Sequence, residues 1–179
     1  MPGPRSSLAI AAVAIAALAS TARAAQESPP GLDRLSSWVD IVDARSGSEI
    51  SYPASFFTEK AAEPEGRVLV SPDGGARLLV GSFLNEGRVS LDAYRTQLLQ
   101  ENYRGAVLDY APVRSGWFVI SGTIGNLMFY ERVSFTCGRR YINSWAMLYP
   151  VAERATYDRI VEAIAPTFKP GSGVDGRCG

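Results

Sequence analysis

The sequence predicts one α+β domain: an antiparallel β-sheet meander sandwiched between helices, in α/β/α layers. Three observations carry the prediction. Aliphatic and aromatic runs with strand character recur along the chain, joined by turns too short for parallel crossovers. Two segments, near residues 90–105 and 156–168, switch to helical spacing. Finally, the last strand-like run, "YINSWAMLY", is apolar on both faces, with Tyr141, Trp145, Met147 and Tyr149 on one and Ile142, Ala146 and Leu148 on the other. Both faces therefore need covering, and the helices supply the cover.

In chain order, residues 1–24 read as a signal peptide. Arg5 lies in a short n-region, "LAIAAVAIAAL" is an uncharged apolar run, and Ala22-Arg23-Ala24 has the small-x-small form of a cleavage site between Ala24 and Ala25. The run is too short to span a bilayer comfortably, and an uncleaved anchor is the alternative. A flexible leader is expected over residues 25–37, a single domain over 38–170, and a tail over 171–179 tethered by Cys178. About 155 residues remain after cleavage, enough for one core.

"WVDIVDA" alternates at period two and predicts a strand; Pro53 limits the following "GSEISYPASF" to an edge or a bend. "EKAAEPEG" (59–66) reads as a charged loop. "RVLVSPDGGARLLVGSF" is the clearest hairpin, two aliphatic runs around Pro72-Asp73-Gly74-Gly75. A helix follows over 90–105, with Leu91, Tyr94 and Leu98 on one face, Ser90 as cap and Gly105 at the stop. "AVLDYA", "GWFVISGT", "LMFYERVSF" and "YINSWAMLY" are strands, the last three joined at Ile124-Gly125-Asn126 and Cys137-Gly138-Arg139-Arg140. The closing helix over 156–168 buries Tyr157, Ile160, Val161 and Ile164, with Thr156 as cap and Pro166 as terminator.

Composition excludes more chemistry than it offers. Loss of Arg5 and Arg23 with the signal leaves 16 of 18 basic residues against 18 acidic ones, a formal charge of −2, so no basic face for nucleic acid is expected. There is no histidine, which removes Ser-His-Asp and Cys-His sites and the usual zinc sites. No nucleotide-binding glycine motif or nucleophile elbow occurs, and no cofactor is expected. In an exported chain the two cysteines are most simply paired as Cys137–Cys178, a closure of about 4 kcal/mol by chain entropy. The alternative is a free thiol whose pKa Arg139 and Arg140 lower.

Two candidate surfaces remain. Arg139 and Arg140, with Tyr141, form the most exposed-looking basic turn, readable as an interaction surface or as a solvated bend. Asp40, Asp43, Asp109 and Glu131 are the acids to weigh for carboxylate chemistry, and Asp109 with Glu131, set within apolar runs, is the alternative acid site; the plainer reading pairs such acids with Arg114 or Arg132. Trp117, Phe118, Phe129, Tyr130, Tyr141, Trp145 and Tyr149 line a groove or, as strand aromatics more often do, fill the core.

The order "ISYPASFF", "SPDGGARLLVGS", "SLDAYRTQLLQENY", "GWFVISGTIGNLMFYERVSFTC", "INSWAMLYP" and "YDRIVEAIAPTFKPG" resembles exported bacterial proteins of the Mog1/PsbP-like fold group over about residues 38–170. Members of that group are accessories: Mog1 proteins bind a Ran-type GTPase and PsbP proteins support the photosynthetic oxygen-evolving complex. The resemblance implies an accessory or binding domain; with the signal peptide and the absent catalytic residues, the expectation is a periplasmic or secreted, monomeric, non-catalytic domain that binds a protein or envelope component through the sheet edge or the Cys137–Arg140 end, without a membrane span after cleavage. The rival expectation is a small-ligand binder or carboxylate-dependent hydrolase using Asp109 and Glu131.

Overall fold

The computed structural model describes residues 37–63, 66–172 and 178. The expected signal, nearly all of the leader and most of the tail lie outside the described residues. Among the described residues, nine strands and two α-helices follow the order β1 (Trp38–Val42), β2 (Glu49–Pro53), β3 (Thr58–Glu63), β4 (Gly66–Val70), β5 (Arg77–Leu84), α1 (Leu91–Glu101), β6 (Val107–Tyr110), β7 (Trp117–Ile124), β8 (Leu127–Thr136), β9 (Tyr141–Pro150) and α2 (Arg154–Ile164). Every strand pairing is antiparallel.

The main sheet has the order β3-β4-β5-β9-β8-β7-β6. After β5 the chain crosses the sheet through α1 and starts again at the far edge with β6; the meander β6-β7-β8-β9 then walks back until β9 closes against β5. β1 and β2 form a separate hairpin. Pro53 is the last residue of β2, where its missing N–H costs no ladder bond.

Helices cover both faces of the sheet, as the two apolar faces of β9 require. On one face Trp145, Met147 and Tyr149 pack with Tyr157, Ile160, Val161 and Ile164 of α2 and with Ile50 and Tyr52 of β2. Full burial of each such aliphatic side chain stabilises by about 1.5–3 kcal/mol. On the other face Phe118, Ile120, Phe129, Val133 and Ile142 pack beneath α1, against Leu98 and the succeeding Tyr103.

Three local expectations are corrected. Of the expected charged loop at 59–66, the described residues are strand: β3 occupies Thr58–Glu63 and pairs with β4, because the neighbouring strand's free edge outweighs a composition poor in β-formers. α2 starts at Arg154 after a 3₁₀ turn at Val151–Glu153, so Thr156 lies inside the first turn and caps nothing. α1 stops at Glu101 with Asn102 as its cap, before Gly105, which takes φ 81° in the following loop. Ser90 does cap α1, accepting from the Ala93 N–H at 3.2 Å.

Candidate functional site

β6 is the outermost strand of the meander, and all four of its residues are exposed. Val107 (65%), Leu108 (39%) and Tyr110 (58%) leave apolar surface on this edge, continued by Val113. Pairing with β7 slips at Asp109, which forms a bulge between the Leu108–Gly122 and Tyr110–Ser121 pairs. Gly122 makes this close crossing possible: a Cβ there would lie 2.0 Å from the Val107 carbonyl oxygen. The outer N–H and C=O groups of such an edge strand are a template for another extended chain.

The turn between β8 and β9 is built differently. Cys137, Gly138 and Arg139 take φ of 53°, 60° and 71°, a left-handed run that includes two non-glycine residues. The loop after β5 holds this turn: the Asn85 N–H donates to the Arg140 carbonyl (2.7 Å), Asn85 Nδ2 to the Arg139 carbonyl (2.9 Å), and Arg88 Nη1 to the Gly138 carbonyl (3.3 Å). Cys137 is joined to Cys178 with the Cα atoms 5.0 Å apart, so the sulfur of this turn is a staple between the meander and the tail. Arg139 is exposed, and the Arg140 guanidinium lies 5.8 Å from the Tyr141 ring centroid. The three residues thus share one end of the sheet, on a turn whose carbonyls are already bonded.

The acids do not converge. Asp40 accepts from Ser51 Oγ (2.6 Å). Asp43 accepts from the Ser46 N–H and hydroxyl and pairs with the Arg45 guanidinium at 3.1 Å; burial pushes its pKa up, but these bonds and the arginine charge outweigh that and hold it low. Asp109 stands on the exposed β6 bulge, where the charge coupled to it is Arg154, at the start of α2. Glu131 points to the opposite face, in line with Phe129 and Val133 beneath α1, and is buried. Its partner is Tyr103, whose hydroxyl donates to Oε2 at 2.6 Å. Burial pushes the Glu131 pKa up to about 7, against the downward pull of that hydrogen bond; burial, then the neighbouring Glu131, pushes Tyr103 and Tyr94 up. Asp109 and Glu131 therefore form no two-carboxylate site: β7 lies between their strands, Asp109 stands on the exposed β6 bulge, and Glu131 is buried beneath α1. No cluster of three metal-ligating residues occurs among the described residues.

Nor, among the described residues, do Arg114 and Arg132 pair with acids. Their guanidinium carbons lie 5.9 and 5.1 Å from the Trp117 ring centroid, and Arg132 lies also 5.5 Å from that of Phe168. Strand register puts Arg132 between Val119 and Trp145, and the next same-face residue of β8, Ser134, between Trp117 and Asn143. Buried Arg132 Nε, Ser134 Oγ and Trp145 Nε1 have no hydrogen-bond partner among the described residues. Beside them the pattern reverses: Ser82 Oγ donates to Asn143 Oδ1 (2.8 Å) and meets Ser46 Oγ (2.9 Å), while Asn143 Nδ2 donates to Thr136 Oγ1 (2.9 Å). The sequence reading missed this donor cluster; its signal was an arginine and a serine at period two in an aromatic strand. Among the meander aromatics, Phe118, Phe129, Trp145 and Tyr149 fill the core, whereas Trp117, Tyr130 and Tyr141 are half-buried.

No family model and no curated protein matches the sequence. Solved structures do match. The solution structure of cyanobacterial PsbP (CyanoP) from Synechocystis sp. PCC 6803 superposes with a TM-score of 0.57 at 15% identity, covering 81% of this chain and 98% of that one. The Ran-binding protein Mog1p of Saccharomyces cerevisiae gives 0.50 at 8% identity over 75% and 95%, and a variant of the protein Mog1 gives 0.52 at 8% over 75% and 96%. At these identities the likeness carries the architecture and nothing finer: this chain has the Mog1/PsbP-like fold.

Proposed function

We propose that this protein is an exported, non-catalytic binding domain that takes an extended segment of a partner protein along β6. The observation that carries the reading is the exposure of all four β6 residues, with Val107, Leu108 and Tyr110 apolar, at the end of a seven-stranded sheet. A strand added there gains main-chain hydrogen bonds and covers apolar surface together. Two further points support it. A protein of this fold, Mog1p, is described as Ran-binding, so the architecture serves protein recognition elsewhere. The signal-like residues 1–24 and the Cys137–Cys178 bond fit a periplasmic or secreted setting, in which the partner is a protein or envelope component. The Arg139–Tyr141 turn is the second candidate contact of the same kind, set at the end of the sheet rather than along its edge.

The test places a photo-crosslinking residue at position 107 in the full-length chain, with position 60 on the opposite edge as control, and irradiates cells. Discrete adducts at 107 that are absent at 60 support the reading. Adducts equal at both positions, or at neither, overturn it.

A further inference from the structure

We infer that Arg132, Ser134 and Trp145 form a carboxylate-binding site on the α2 face of the sheet, where the Arg132 guanidinium rests against the rings of Trp117 and Phe168. This site lies apart from β6 and does not rest on the strand-binding reading. Three unpartnered buried groups stand at adjoining register positions: Arg132 is directly opposite Trp145, and Ser134 is the next residue on the same face. Trp145 is fully buried and Ser134 nearly so. A directly opposed pair brings Cβ atoms to about 5 Å, so the Arg132 and Trp145 side chains leave the sheet side by side.

The chemistry of the three is uniform. An arginine Nε–H and an indole Nε1–H only donate, and a serine hydroxyl donates as well. A buried unmade donor is costly, so three together are a standing cost unless one acceptor-rich ligand meets them. Arg132 adds a permanent positive charge that no aspartate or glutamate among the described residues pairs with, and its neighbours include two aromatic rings. Arg114, beside the same Trp117, raises the local positive field. Arg132 itself is only half-buried, so part of the side chain remains open to solvent while Nε is enclosed. A planar carboxylate fits these features: it accepts at two oxygens and pairs with a guanidinium edge.

The experiment titrates 15N-labelled protein with sodium acetate and follows the indole Nε1–H of Trp145 and the Nε–H of Arg132 by NMR, with sodium chloride at matched ionic strength as control. A saturable downfield shift of both signals with acetate, not reproduced by chloride, supports the site. Arg132→Lys, which keeps the charge and loses Nε–H, should weaken binding about tenfold. Ser134→Ala should weaken it about fivefold, the worth of one hydrogen bond, while leaving the free protein as stable or more so, because an unmet donor has gone. Identical shifts with acetate and chloride, or none, overturn the inference. Inorganic phosphate saturating at lower concentration than acetate overturns the carboxylate assignment. Clear destabilisation of free Ser134→Ala also counts against the site, since it would mean that Ser134 is satisfied without a ligand.

Discussion

The two ends of the seven-stranded sheet solve the same problem in opposite ways. β3 closes one end with Thr58–Glu63, a strand carrying Glu59, Lys60 and Glu63, with an ion pair from Arg67 Nη1 to Glu59 Oε2 at 2.6 Å. β6 closes the other with Val107, Leu108 and Tyr110, and Asp109 is its single charge. Both strands bulge, between Glu59 and Ala61 and between Leu108 and Tyr110. Charges and bulges on an edge discourage unplanned pairing, so β3 has the usual protection and β6 has half of it. Polar burial divides the same way. Around Ser46, Ser82 and Asn143 the buried groups are bonded to one another, whereas Arg132, Ser134 and Glu131 of β8 are unmatched or held with a raised pKa. Departures from local optimum gather where proteins keep function, and here they gather in the half bounded by β6.

The most severe way to break that asymmetry is Gly122→Val. A side chain at 122 meets the Val107 backbone, which has no rotamer with which to yield, so β6 must leave β7. The expected loss is about 3 kcal/mol or more, read as a fall in thermal midpoint together with rapid hydrogen exchange at 107–110. On the β3 side the corresponding close approach is Gly66, where a Cβ would lie 2.8 Å from the Val80 carbonyl oxygen. Gly66→Val should therefore cost less than Gly122→Val. An equal cost at both positions would mean that β6 is no more tightly crossed than β4.

Glu131 sharpens the comparison through pH. Its pKa is near 4.5 unfolded and about 7 folded, so the folded state binds the extra proton between those values. Stability from this group is full below about pH 4.5, falls as pH rises toward 7, and levels off above it, a loss of about 3 kcal/mol. Asp43 and Asp73 have lowered pKa values and act in the opposite direction, losing stability only in acid. The contrast with Glu131→Gln, which keeps an acceptor for the Tyr103 hydroxyl, isolates the effect. The variant should gain on the wild type across pH 5–7 in denaturant titrations. A constant difference across that range would mean that Glu131 titrates normally.

What the sequence showed and what it hid follow the same division. The "SPDGG" hairpin, the Ser90 cap and the four buried positions of α2 are local signals, carried by turn chemistry and by a period of 3.6. β3 was hidden because its residues favour a strand only once β4 offers an edge. Glu131 was legible as an acid in an apolar run, but its face relative to Asp109 depended on the bulge in β6. The Arg132–Ser134–Trp145 cluster was hidden more deeply, since it exists only through the β8–β9 register. Residues eleven positions or more apart do not announce which of them will stand opposite.

The smallest effect on stability separates the edges most directly. Val107→Lys gives β6 the protection of β3, and Lys60→Val removes it from β3; both sites are exposed, so each change should stay within about 0.5 kcal/mol and move the midpoint by about 1–2 °C. Adhesion should move far more. Light scattering during gentle heating should show Val107→Lys aggregating later than the wild type and Lys60→Val earlier, because a bare apolar edge recruits strands and a lysine cannot be buried in the new pair without losing its hydration. If Val107→Lys leaves the onset unchanged while Lys60→Val advances it, the bulge at Asp109 already shields β6. The exposed side chains of that strand would then act as an apolar patch and not as a template for pairing.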